Sequence, residues 1–321
     1  MSIMTKKQLD EEFAELERAG KKPFGGGEPK MTVEFDTSVI NGFASREQLD
    51  KDIEEILVPG IKEYVDNARA KGVIIGISGG IDSAVVAALA VKALGDFWVK
   101  GVYMPCQADL DTPYSAEEMQ DRADAYALAD WLGIEISTLD FTTPFIVFRH
   151  RANLANGTAT GRQGEISNFA SSNMKARMRM VALYAMKEDM NYLCIGTGNK
   201  TELMIGYLTK YGDGGVDFEP LGDYYKTEVR IMADILGIND AVPNISAKSP
   251  SARLTPGQTD EGDLGMTYEE LDKILCSLSV EPGGIRLKNW VEFDEHMVQK
   301  VLGMINRSEH KRFAPPTIGR S

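Results

Sequence analysis

The sequence predicts an α/β protein built on a doubly wound parallel sheet. Three observations carry that prediction. Short apolar runs at residues 73–77, 98–104 and 192–196, with Ile134 to Leu139 as a further strand, have the length of strands in such a sheet. Helix-forming stretches separate them, and such alternation covers a parallel sheet on both faces. Each cluster of polar, chemically capable residues follows the end of a strand, where sheets of this kind bind ligands.

Taken in order, residues 1–30 are a charged, helix-capable stretch that passes into Lys21-Lys22-Pro23-Phe24-Gly25-Gly26-Gly27. They are expected to be a loosely attached extension, with a single domain over 31–321. Residues 46–69 place Leu49, Ile53, Ile56, Leu57, Ile61 and Tyr64 on one helical stripe. The first strand, a small-residue turn and the helix former 84–91 follow. After the second strand, a helix over 115–132 is expected to turn Met119, Ala123, Tyr126, Ala127 and Trp131 inward and to stop at Gly133. A long helix at 168–189 precedes the fourth strand. Residues 237–266 are rich in Pro, Gly, Ser and Asp and read as a mobile loop, too long for a simple connector and suited to a lid. Helices near 267–278 and 290–307 lead to the basic tail His310-Lys311-Arg312.

At 321 residues, with 43% hydrophobic and 26% charged residues, the composition is that of a globular domain. No apolar run approaches the roughly 18 residues of a membrane span, so no membrane contact is expected. Cys106, Cys194 and Cys276 are scattered without metal-ligand spacing, and with only three histidines a reducing cytoplasm fits better than a metal-binding or disulfide framework. The net charge of −13 disfavours broad contact with nucleic acid backbones.

The most telling stretch is Ser78-Gly79-Gly80-Ile81-Asp82-Ser83, between the first strand and its helix. A strand, a glycine turn and a helix N-terminus gather unpaired N–H groups where an anion can sit. Asp82 beside phosphate is repulsive unless a cation lies between, so the turn reads as a site for a polyphosphate carried with Mg²⁺. It lacks the Gly-Lys-Ser/Thr ending of a P-loop and does not match Gly-x-Gly-x-x-Gly. The plainer alternative is a turn that merely needs small residues. A second cluster, Gly196-Thr197-Gly198-Asn199-Lys200-Thr201-Glu202, follows the fourth strand. Glu202 there is either a cap-favourable acid or a second Mg²⁺ ligand opposite Asp82. Residues 207–221 follow as a glycine- and acid-rich binding loop.

Six segments in order over about 45–315 resemble the NAD synthetase family: 76–83, Asn173-Met174-Lys175-Ala176-Arg177-Met178-Arg179-Met180, 196–202, 209–217, Lys248-Ser249-Pro250-Ser251-Ala252-Arg253-Leu254 and Glu309-His310-Lys311-Arg312. The resemblance implies an adenine-nucleotide α-hydrolase-like sheet and a ligase. The nicotinate carboxylate of deamido-NAD would be adenylated by ATP with release of pyrophosphate, and ammonia would displace AMP to give NAD. By matching positions, Gly76, Ile77, Ser78, Gly79, Gly80, Ile81, Asp82 and Ser83, with Thr197, Lys226 and Ser251, would bind ATP. Asp82 and Glu202 would hold Mg²⁺, and these two with Lys226 would be the catalytic residues. Arg177, Lys210, Asp217, His310 and Lys311 would contact deamido-NAD. A homodimer is implied as well. Ile81 stands where many relatives carry glutamine and Ser251 where a threonine is frequent, while the Gly198-Asn199 pair and Tyr103 stand where some members carry an Asp-His pair and an arginine. Only about 70 residues precede the first strand and none is cysteine, so ammonia rather than glutamine is the expected nitrogen donor. Two other readings share the fold: another ATP-cleaving enzyme that amidates or thiolates, and a non-catalytic nucleotide-binding regulator.

Overall fold

The four expected strands pair into one sheet. The structure, a computed structural model, describes residues 43–318 apart from positions 108, 112, 161–164, 249–250, 252–258, 282–283, 288–292 and 317. The expected extension at 1–30 and the domain start at 31 lie outside the described residues. Strands β1 (Gly72–Gly76), β2 (Val99–Tyr103), β3 (Glu135–Thr138) and β4 (Tyr192–Cys194) run parallel in the order β3-β2-β1-β4. Val73 pairs in register with Val99 on one side and with Leu193 on the other. Val73, Ile74 and Ile75 are completely buried because both faces of β1 are covered. Each such side chain contributes about 1.5–3 kcal/mol by leaving water.

Successive side chains of β1 enter different cores, as the two-residue strand period requires. Val73, Ile75 and Ile77 pack with the helix α1 (Arg46–Asp52), a π turn (Ile53–Leu57), α2 (Val58–Asn67) and α3 (Ile81–Leu94). Ile74 packs on the other face with Val102, Phe145, Leu183 and Cys194. That face is covered by α5 (Thr142–Thr160), a helix for which the sequence pattern supplied no expectation, and by α6 (Asn168–Met190). A third core joins α7 (Lys200–Ile205), α12 (Tyr268–Cys276) and α13 (Glu295–Arg307) through Ile205, Tyr268, Leu271, Ile274, Val298 and Val301.

Three expectations need correction. On α4 (Ala116–Leu132) the inward face is Asp121, Asp124, Ala125, Leu128 and Ala129, whereas Met119, Ala123, Tyr126, Ala127 and Trp131 face solvent. The physical reason is an ion pair: Lys248 draws Asp121 and Asp124 inward, so polar residues occupy the core-facing stripe. In the first helical stretch the π turn shifts the stripe, leaving Ile56 and Tyr64 exposed and burying Val65. The segment 237–266 is no plain loop. It holds α9 (Ile238–Ala241), α10 (Pro243–Ala247) and α11 (Asp260–Leu264), after α8 (Lys226–Ile235). A hairpin, β5 (Leu278–Glu281) with β6 (Gly284–Leu287), and the short α14 (Glu309–Arg312) complete the chain.

The strand order fixes where a ligand can bind. From β1 the chain moves outward through β2 to β3, then returns to β4 on the other side of β1. The loops leaving β1 and β4 therefore diverge, and the crevice between them opens at the carboxyl ends of the strands.

Candidate active site

A cavity of about 910 Å³ occupies that crevice. The turn after β1 forms one wall. Gly79 has φ +80°, and a Cβ there would meet the Asp121 carbonyl oxygen at 2.3 Å, so only glycine fits. The Gly80 N–H donates to Ser78 Oγ at 3.2 Å, and Ser83 Oγ donates to the Gly80 carbonyl at 2.9 Å. These bonds brace the turn from within. From outside, Lys248 Nζ donates to the Gly79 carbonyl at 2.6 Å and to Asp121 Oδ1 at 2.8 Å, and lies 2.7 Å from Asp124 Oδ2. The turn is thus a rigid cradle at the start of the 14-residue helix α3.

The loop after β4 supplies the facing wall. Asn199 caps α7 in a reciprocal box: its side chain accepts from the Glu202 N–H, and its own N–H donates to Glu202 Oε2 at 3.3 Å. Asn199 Nδ2 also donates to Asp82 Oδ1 at 2.9 Å, tying the two loops together. Lys226 opens α8, whose first N–H donates to Thr201 Oγ1 at 3.0 Å. The Lys226 ammonium pairs with Asp82 Oδ2, lies 3.5 Å from Glu202 Oε1, and sits 5.1 Å from the centre of the Tyr268 ring. It is 2% exposed. Burial alone would lower its pKa, but Asp82 and Glu202 together hold it above the usual lysine range. Burial pushes the Glu202 carboxyl up to about 8, against the pull of Lys226 and with the help of Asp82.

The cavity brings together Gly76, Ile77, Ser78, Gly79, Gly80, Ile81, Asp82, Ser83, Thr197, Glu202, Lys226, Ser251 and Lys311. Lys311 Nζ donates to the carbonyls of Gly206 and Leu208 at 2.6 and 2.7 Å. Arg177 and His310, both exposed, and the half-buried Lys210 form a neighbouring group outside the lining. Arg177 Nε donates to the Lys210 carbonyl at 3.2 Å, and Lys210 Nζ donates to the His310 carbonyl. Asp217 does not join them. It accepts from Lys187 Nζ at 2.9 Å, Tyr184 Oη at 3.2 Å and the Cys194 N–H at 2.7 Å. Its carboxylate therefore ties α6 to β4, and Asp217→Ala is expected to cost roughly 2 kcal/mol in urea unfolding, the range for charged hydrogen bonds.

Pattern reading passed over four site residues. Asp260 is buried, lines the cavity and accepts from Tyr207 and Tyr268 hydroxyls at 2.9 and 3.0 Å. Its only sequence signal was Thr259 before it as a helix cap, within a stretch that looked irregular. Lys248, Asn199 and Arg179 stood inside the matched segments, but their roles depend on partners far away in sequence.

Asp82 and Glu202 are two hard oxygen donors flanking one cation position, now held by the Lys226 ammonium, beside the glycine turn. That donor set suits Mg²⁺, which commonly takes one or two carboxylates plus substrate phosphates. Among the described residues no group of three or more His, Cys, Asp or Glu could form an all-protein cage. The fit is therefore to a cation that arrives with a nucleotide.

Fold and site together define an α/β protein whose cavity lies at the switch point of a doubly wound sheet, the place where sheets of this class bind nucleotides. Comparison narrows the class. Residues 53–315 match the family model described as NAD synthase. An NH(3)-dependent NAD(+) synthetase of Methanosarcina mazei is 43% identical over 262 residues, covering 81% of this chain and 94% of that protein. Among solved structures, an NMN synthetase of Francisella tularensis is 32% identical with a TM-score of 0.67, covering 85% of this chain and 98% of that one. An NAD+ synthetase of Burkholderia pseudomallei is 27% identical with a TM-score of 0.59, covering 86% and 93%. The chain belongs to the NAD synthase family, and its sheet has the adenine-nucleotide α-hydrolase-like fold.

Proposed function

We propose that this chain is a ligase that makes NAD from deamido-NAD, ATP and ammonia. The observation that carries the proposal is the meeting of Asp82, Glu202 and Lys226 beside the glycine turn. A nicotinate carboxylate repels nucleophiles, so it must first be activated. One carboxylate oxygen attacks the α-phosphorus of ATP, and the bond to the β-phosphate oxygen breaks to release pyrophosphate. Ammonia then attacks the acyl carbon of the adenylate, AMP leaves with the former carboxylate oxygen, and the nitrogen loses a proton to give the amide.

The chain's own groups supply position and charge. The Gly79 N–H and the first N–H groups of α3 hold the departing pyrophosphate, with hydroxyls of Ser83, Thr197 and Ser251 around the nucleotide. Lys226 offsets the repulsion between the two anionic reactants. Asp82 and Glu202 would hold Mg²⁺, which when bound neutralises phosphate charge. Arg177, Lys210, His310 and Lys311 meet the dinucleotide at the cavity mouth. A contact from Asp217 would use the 20% of its side chain that stays exposed. A reducing cytoplasm and a homodimer complete the proposal. Cys106 and Cys194 are buried free thiols, and no described helix is long and apolar enough to cross a membrane.

The test is turnover by the purified chain with deamido-NAD, ATP, Mg²⁺ and ammonium. NAD, AMP and pyrophosphate are expected in equal amounts, with no ADP. Glutamine in place of ammonium is expected to give no product, and turnover with it would overturn the nitrogen assignment. Because one structural neighbour is an NMN synthetase, nicotinate mononucleotide belongs in the assay as a competitor. A preference for it would move the substrate from the dinucleotide to the mononucleotide.

A further inference from the structure

Arg179 lies on α6 and lines the cavity. Its Nε donates to the Met104 carbonyl at 2.8 Å, just beyond the end of β2, and this is its one hydrogen bond to a described residue. With Nε engaged, a guanidinium still presents two Nη groups as a planar fork suited to an oxyanion. Burial lowers its pKa, while Cys106, Tyr103 and Asp213 act in favour of its charge. One helical turn back, Lys175 is buried. It rests 5.1 Å from the centre of the Phe145 ring and forms no ion pair among the described residues. Lys187, Lys226 and Lys248, by contrast, each hold a carboxylate.

A buried lysine and a half-buried arginine at (i, i+4) on one helix repel each other unless an anion answers them. Any such anion would be close to the phosphate turn. Met104 follows β2, the turn follows β1, these strands are hydrogen-bonded neighbours, and both ends line the same cavity. Neighbouring strands lie about 4.8 Å apart, so one nucleotide spans both.

We propose that Arg179 is a substrate-binding residue whose guanidinium fork takes a phosphate or carboxylate oxyanion of one of the two nucleotides, with Lys175 reinforcing the field behind it. The proposal rests on the nucleotide assignment above and adds a residue to it. The test measures ATP and deamido-NAD binding separately by calorimetry, and KM for each, in the parent chain, Arg179→Met and Arg179→Lys. Losing a charged hydrogen bond is expected to weaken one nucleotide about 10–100-fold in Arg179→Met and to leave the other within about threefold. Arg179→Lys keeps the charge but not the fork and is expected to recover part of the loss. The nucleotide affected tells whether the oxyanion belongs to ATP or to deamido-NAD. Unchanged affinity for both would overturn the proposal, as would parallel losses for both that track a falling melting temperature. If Arg179→Met does not fold, Arg179→Lys is read alone: a loss confined to one nucleotide supports the contact, and no loss or equal losses overturn it. A parent chain that binds both nucleotides without turnover would sink the proposed reaction and leave this measurement readable.

Discussion

Asp82→Asn and Glu202→Gln are each expected to lower turnover by roughly 10²–10³, the loss typical of removing one preorganised electrostatic stabiliser. The two variants separate charge from shape. Asparagine keeps Oδ1, so it can still accept from Asn199 Nδ2 and the two loops stay tied. What it removes is the negative charge on the Lys226 side. Glutamine at 202 likewise keeps an oxygen for the Asn199 N–H. Neither change empties space, so a fall in kcat reads on charge. Stability gives the counter-check. Lys226 is buried, and stripping a partner from a buried ion pair costs about 3–5 kcal/mol when nothing replaces it. Here each carboxylate backs up the other, so each single variant is expected to lose less than that range and the double variant to approach it. Urea unfolding and single-turnover rates of AMP release measure the two effects independently. Full activity in both single variants would remove the metal assignment and leave the three residues as an ordinary buried ion-pair cluster.

The parts legible in sequence were those set by local chemistry. β1 and β2 were legible because strands covered on both faces are apolar runs, and the Ser78–Ser83 segment was legible as a turn between strand and helix because its glycines follow one apolar run and precede a helix former. The inward face of α4 did not. A stripe count treats Asp121 and Asp124 as solvent-facing, yet Lys248 from 124 residues downstream of Asp124 makes them core-facing. Asp260 escaped for the reverse reason: a helical turn hidden in Pro- and Gly-rich sequence has no periodicity to count. Arg177, Lys210 and His310 gave no signal beyond solvated charge. Only the matched segments singled them out, and the structure groups them through main-chain carbonyls that no side-chain pattern encodes.

Gly79→Ala is expected to cost at least as much as losing a carboxylate, although no charged group is touched. The position has φ +80°, where an L-residue in left-handed space costs roughly 1–2 kcal/mol. The larger effect is the collision. A Cβ would lie 2.3 Å from the Asp121 carbonyl oxygen and 2.9 Å from its Cα, both backbone atoms of α4. That helix cannot yield easily, because Asp121 and Asp124 are held by the same Lys248 ammonium that grips the Gly79 carbonyl. The turn must therefore move away from α4, and a displacement near 1 Å in a positioning element is worth about 10²-fold in rate. Gly95→Ala separates the two causes. Its φ is +85°, but an added Cβ there meets nothing within 4 Å, so only the conformational cost applies. Gly95→Ala should lose about 1–3 kcal/mol in urea unfolding and keep its turnover. Gly79→Ala should weaken ATP binding and slow AMP release together. Equal behaviour of the two variants would show that the turn does not hold the phosphates.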